Sequence, residues 1–236
     1  MAGTLYAKSL PVSSSISIMV PSVGEIVDNE DQYYDAVSTI VATPYDMMVQ
    51  LDDAGIDFTK INDYELFCIL FPRLKSMDTS LLFGDLNIAN FQTAMDEKDG
   101  KVFLVDPETD IKIDRIVHDQ MCRQLRKMLH FTKDVKIPGN EEARKYMLER
   151  ARKKQKRHNN KRPDSQIENY IIALVNTEQF PYNYETVREI SILQFYASLN
   201  QIAHKIKFDN TMVGFYAGTI KLEDLKAEER TWIQNV

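Results

Sequence analysis

The side chains best suited to metal or nucleophilic chemistry in this chain are His118, His130, His158 and His204, with Cys68 and Cys122. Three of them share one stretch, HDQMCRQLRKMLH. His118 and Cys122 are four apart, so on a helix they face the same way and could approach one metal ion. His130 lies eight residues past Cys122, about 12 Å along the axis, too far to share that ion. Helix packing is the reading this spacing favours, and no metal site is expected. Acids gather in FGDLN and LVDPETDIKID, where they could be drawn as pairs for proton transfer. Aspartates in turns ordinarily accept local backbone hydrogen bonds, and that is their expected role. The patterns GxxxxGK[ST], GxGxxG, HExxH and GxSxG do not occur. No catalytic residue and no cofactor is expected, so the chain reads as a non-enzyme.

The elements that would position these groups are legible as changes of period. TLYAK and ISIMV alternate across a serine-rich turn and read as two short strands. From Val23 the apolar residues recur at helical spacing. Thr43 caps a helix with Pro44 at its first position, and Gly55 ends it. Asn62 and Glu65 form a capping box for a second helix that Pro72 stops. FQTAM, KVFLVD and DIKID, separated by the turn sequences DEKDG and PETD, predict a small β-meander near 91–113. An amphipathic helix follows from about Asp114 to Phe131, carrying Ile116, Val117, Met121, Leu125 and Met128. Pro138-Gly139-Asn140 then opens a basic helix. SQIENYIIALVN and SILQFYASLNQIAHKI are amphipathic helices, with two short elements at TMVGFYAG and KAEERTWIQ. Leu66, Phe67, Leu70, Leu125, Ile171, Leu174, Phe195 and Leu199 are the expected core. The fold class is α+β, with small N-terminal strands and a β-meander and a predominantly helical remainder. Its expected parts are an α+β region at 1–137, a basic helix or linker at 138–163, and a helical region at 164–236.

Composition narrows the function class. The 236 residues are 44% hydrophobic, enough for a proper core. No run approaches the ~18 apolar residues of a spanning helix, and the N-terminus lacks the charged-then-apolar layout of a secretory signal. Two buried, reduced cysteines fit a reducing compartment, so a cytoplasmic location is expected. The net charge of −6 is uneven: −11 over 1–143, +9 over 144–162 and −4 over 163–236. The island RARKKQKRHNNKR makes Arg150, Arg152, Lys153, Lys154, Lys156, Arg157, Lys161 and Arg162 the candidate partner-binding residues. On a helix these charges surround the axis, with the first two turns packed and the rest in solvent. Such an arm could neutralise phosphates, but residues 150–162 hold no aromatic platform for bases and both flanks are acidic. A solvated linker helix comes first, docking to an acidic protein surface second, and nucleic acid third.

Taken in order, VPSVGEIVD, ATPYDMMVQLDDAGIDF, TSLLFGDL, DPETDIKIDR, VNTEQFPYNYETV and YAGTIKLEDL resemble a group of proteins from tail-morphogenesis gene clusters of bacteriophages infecting Gram-positive bacteria. The resemblance runs from about Ile16 to the C-terminus. ISIMVPSVGEI looks like the strand-then-helix entry of tail assembly chaperones, which coat the tape-measure protein and recruit tail-tube subunits. The resemblance implies such phage tail proteins as partners, with homo-oligomers possible, a location in the host cytoplasm, and no catalytic residue. It also admits a structural virion component, such as a connector, tail terminator or baseplate subunit. A nucleic-acid-binding protein using 150–162 is the second alternative.

Overall fold

The computed structural model describes residues 4–96, 100–133, 136–158, 165 and 167–233. Strands β1 (Ser9–Pro11) and β2 (Ser17–Met19) form an antiparallel hairpin in which Leu10 faces Ile18. Helices α1 (Val23–Asp28), α2 (Glu30–Val41), α3 (Met48–Asp53), α4 (Asp63–Leu74) and the single turn α5 (Ser80–Phe83) follow. Strands β3 (Gln92–Met95), β4 (Val102–Val105) and β5 (Lys112–Ile113) form an antiparallel meander in sequence order. The remainder is helical: α6 (Arg115–Leu129), α7 (Glu141–His158), α8 (Glu168–Val175) and α9 (Ile192–Tyr216). This is the expected α+β, mostly helical fold.

The chain forms two compact units that interleave along the sequence. The larger holds Lys8–Met19 and Asn29–Asp164; the smaller holds Met1–Ala7, Val20–Asp28 and Ser165–Val236. The contiguous division at 137 and 163 expected from composition differs from this. The reason lies in backbone pairing across great sequence distance. Within the smaller unit the Val23 amide donates to Ile190 O at 2.9 Å and the Ile192 amide to Pro21 O at 3.0 Å. Arg188 grips Asp28, with Nη2 2.8 Å from each carboxylate oxygen. Gly24 makes this approach possible, because a Cβ there would lie 3.0 Å from the Arg188 carbonyl oxygen.

The core of the larger unit forms where α2, α4 and α6 meet. Val37, Ile40, Leu74, Met121, Leu125 and Met128 are fully buried there. The Tyr64 hydroxyl donates to Ile113 O at 2.8 Å and ties α4 to the meander. A second cluster gathers Leu51, Phe58 and Leu66, with Leu70 partly buried against it. Of the expected core, Leu66, Phe67, Leu125, Leu174 and Phe195 are buried. Leu70, Ile171 and Leu199 are only half-buried, and Ile116 is 70% exposed.

Local chemistry accounts for several boundaries. Asn62 caps α4 by accepting from the amides of Tyr64 and Glu65, while Glu65 accepts from the Asn62 amide at 2.8 Å. Losing such a cap costs about 1 kcal/mol. Asn62→Ala is therefore expected to lower stability by that amount in urea denaturation, and Asn62→Asp to preserve most of it. Pro72 does not stop α4 but sits in its last turn. It removes one hydrogen bond, and burial of Phe71 and Leu74 on either side holds the turn in place. TLYAK is a 3-10 turn at Thr4–Tyr6 rather than a strand, because the short partner at 17–19 pairs only with 9–11. Regular helix begins at Met48 rather than at Pro44, since Asp46 closes the turn by accepting from the amide and hydroxyl of Thr43. TMVGFY is no separate element; it continues α9, which ends before Gly218 in a left-handed conformation at φ +73°.

Candidate protein-docking surface

The basic island lies mostly on α7. Asn140 starts the helix by accepting from the Ala143 amide at 2.8 Å, and Glu141 and Glu142 suit the positive end of its dipole. Ala143, Arg144, Met147, Leu148, Ala151 and Arg152 are half-buried. Their spacing makes one stripe along the helix, and α7 packs against α3. At the start of this stripe Arg144 lies over the Phe58 ring at 5.8 Å and bonds Glu141 through Nη2 at 2.8 Å. That bond holds the Glu141 carboxyl below its usual range. Asp57 is also held low, first by the Thr59 hydroxyl, then by the Thr59 amide, with Arg144 adding to it. Two turns on, Arg152 reaches Asp52 at 2.8 Å and Asp53 at 2.6 Å.

The structure thus divides the candidate residues. Arg152 is engaged within the chain by the end of α3. Arg150, Lys153, Lys154, Lys156 and Arg157 are exposed and make no ion pair among the described residues. Arg150, Lys153, Lys154 and Arg157 follow the i, i+3, i+4, i+7 rule of a single helix face. Charge surrounds the axis as expected, with a row of four free cations on one side, the docked Arg152 on the other and exposed Lys156 about 40° round from Arg152. Packing also reaches a turn further than expected, to Arg152. Lys161 and Arg162 lie outside the described residues. What the sequence reading missed is the acidic counterpart: LDDAGID places Asp52, Asp53 and Asp57 where α7 crosses. Its signal was present as a run of acids around the Gly55 helix end.

His118 and Cys122 are occupied in packing. Nε2 of His118 lies 3.0 Å from Ile40 O and 3.3 Å from Cys122 Sγ, which itself lies 3.3 Å from the same carbonyl. A carbonyl only accepts, so the imidazole proton sits on Nε2. Nδ1 is buried without a hydrogen-bond partner among the described residues. The ring stacks on Phe67 at 4.4 Å. Burial lowers the pKa of His118 and pushes the Cys122 thiol up to about 12. His130, in left-handed conformation, is the C-cap of α6. Asp106 accepts from the Glu108 amide and the Thr109 hydroxyl, and Asp114 caps α6. No group of three His, Cys, Asp or Glu among the described residues is placed to hold a metal ion. No helix among them is long and apolar enough to cross a membrane.

Residues 153–236 match the family model described as YomV second domain. YomV is a phage-encoded family, and the similarity points to a phage origin. The match begins at Lys153, the residue after the docked Arg152. It runs through the C-terminal segment of the smaller unit. No curated protein and no solved structure matches the chain.

Proposed function

We propose that this protein is a non-enzymatic phage morphogenesis factor, a tail assembly chaperone that binds the tape-measure protein and tail-tube subunits in the host cytoplasm. The observation that carries the reading is the similarity of 153–236 to a domain of a phage-encoded family. It joins a chain in which His118 and Cys122 pack in the core, Asp106 closes a turn and Asp114 caps α6. The free cations of α7 supply a contact for acidic stretches of a partner. The row Arg150, Lys153, Lys154 and Arg157 presents four positive charges over about two turns, with Arg152 turned away to hold α7 on α3.

Binding through this row is electrostatic, so it weakens as salt screens it, with a Debye length of ~8 Å at physiological ionic strength. Replacing Arg150, Lys153, Lys154 and Arg157 by Gln is expected to weaken binding to the tape-measure or tube protein of the same phage by ten-fold or more. Leaving Arg152 in place keeps the fold, which circular dichroism verifies. Calorimetry with each tail protein, beside duplex and single-stranded DNA, measures the effect. Micromolar DNA binding lost in the variant, with tail-protein binding retained, replaces protein docking by nucleic-acid binding. Mass spectrometry of purified virions tests the chaperone role, since a chaperone leaves the particle and a connector or baseplate subunit stays.

A further inference from the structure

Helix α9 spans 25 residues, yet its buried residues are Ile192, Leu193, Phe195 and Tyr196, all in the first turns. Beyond them apolar residues continue in strict alternation of three and four: Leu199, Ile202, Ile206, Val213 and Tyr216, with Asp209 the only polar member of the series. This is the a/d pattern of a coiled-coil seam. Leu199 and Ile202 are half-buried, whereas Ile206, Val213 and Tyr216 are 44%, 69% and 82% exposed. The seam leaves the core and runs on uncovered.

Another face of the same helix is covered by the chain itself. The segment after Gly218 returns along α9: Gln201 donates to Trp232 O, His204 Nε2 lies 2.8 Å from Thr231 O, and Lys207 pairs with Glu229. Ile220 packs on Gly214, where a Cβ would come within 2.8 Å of it. Ile202, Ile206 and Val213 lie roughly 80° or more round the axis from each of these covered positions, and Tyr216 lies roughly 60° from Gln201, the nearest of them in angle, but about 22 Å further along the helix. The return segment therefore does not close the seam.

We infer that the seam of α9 is closed by the seam of a second copy of this chain, run antiparallel. The charges choose the occupant and its direction. Lys205 and Asp209 already pair at 2.6 Å within the helix. A parallel copy in register sets Asp209 against Asp209 within the seam, which like-charge repulsion opposes. An antiparallel copy with its two-fold axis between residues 207 and 208 sets Ile202 against Val213 and Ile206 against Asp209. Each Asp209 then lies beside the Lys205 of the other copy, so the one acid in the seam gains a second cation. The contact is self-complementary, as a two-fold interface requires. The open stretch from 199 to 216 is about 27 Å long, and a two-helix contact of that length falls short of the ~1,200 Å² of standard complexes. The dimer is thus weak and depends on concentration. This inference concerns the smaller unit and does not rest on the α7 contact or on the phage partners.

Sedimentation equilibrium of the full chain from micromolar to millimolar concentration tests it. The wild type is expected to rise from monomer towards dimer mass. Val213→Glu, at an exposed position, is expected to stay monomeric with an unchanged helix signal and melting temperature. Lys205→Glu is expected to weaken the dimer at least ten-fold, and the double exchange Lys205→Glu with Asp209→Lys to restore it. A wild type that stays monomeric throughout overturns the inference. So does a dimer indifferent to Val213→Glu, or a charge exchange that fails to restore association; either places the contact elsewhere or gives the seam to a different protein.

Discussion

Leu125→Ala is expected to destabilise the larger unit by about 2–5 kcal/mol. Leu125 sits on α6 with no exposed surface, in the layer where α6 meets α2. Removing its isobutyl group takes away transfer energy and leaves a cavity that Val37, Ile40 and Met121, all fully buried, can fill only in part. Leu199→Ala, the same chemistry on α9, is expected to cost about 1 kcal/mol, because the half-buried side chain loses less area and water can occupy the space left. Urea denaturation of the two variants measures the contrast. Equal losses at both positions would refute the assignment of Leu125 to the core and Leu199 to its edge.

Acidification is expected to unfold this protein earlier than its carboxylates alone would. His118 is fully buried, and burial lowers its folded pKa below the ordinary 6.5. Well above pH 6.5 the ring is neutral in both states and contributes nothing to pH dependence. As pH falls through 6.5 the unfolded chain takes up a proton that the folded chain refuses, so stability declines until the folded pKa is reached. The limit is about 1.4 kcal/mol per pH unit, or at most about 2 kcal/mol by pH 5. The geometry explains the refusal, since a proton on Nδ1 would have no acceptor beside the Phe67 ring. His130, exposed at the end of α6, shifts in the same direction through desolvation. His118→Gln, which can still donate to Ile40 O, is expected to cost stability at pH 8 and to flatten the curve between pH 6.5 and 5. Stability profiles of wild type and variant over that range decide the matter; parallel curves would show that His118 does not titrate on unfolding.

Both effects depend on α6, and α6 was legible almost residue by residue. Asp114 caps it, Met121, Leu125 and Met128 line its buried stripe, and it ends one residue short of His130. The capping box at Asn62, the meander with its two turn sequences and the opening of α7 at Asn140 were legible for the same reason. Each rests on hydrogen bonds within three or four residues or on a period of two or 3.6, which a sequence displays directly. Where a local rule met a tertiary contact, the contact prevailed. Pro72 stays helical because the residues around it are buried, and Ile116 obeys the helical spacing yet faces outward.

The division of the basic island is the plainest case. Composition determined that 144–162 is a cationic island of net charge +9. Which of its cations stay free was decided by where α3 lies, since Asp52 and Asp53 consume Arg152 from 100 and 99 residues away. The make-up of the units was likewise beyond local reading. Pro21 and Val23 meet Ile192 and Ile190 through backbone amides and carbonyls, groups every residue carries and no pattern marks. Sequence determines what depends on near neighbours and on period; it is silent where identical backbone groups, or one of several equivalent arginines, must choose among partners. That choice is made by the packing of the helices, because only packing brings distant groups within 3 Å.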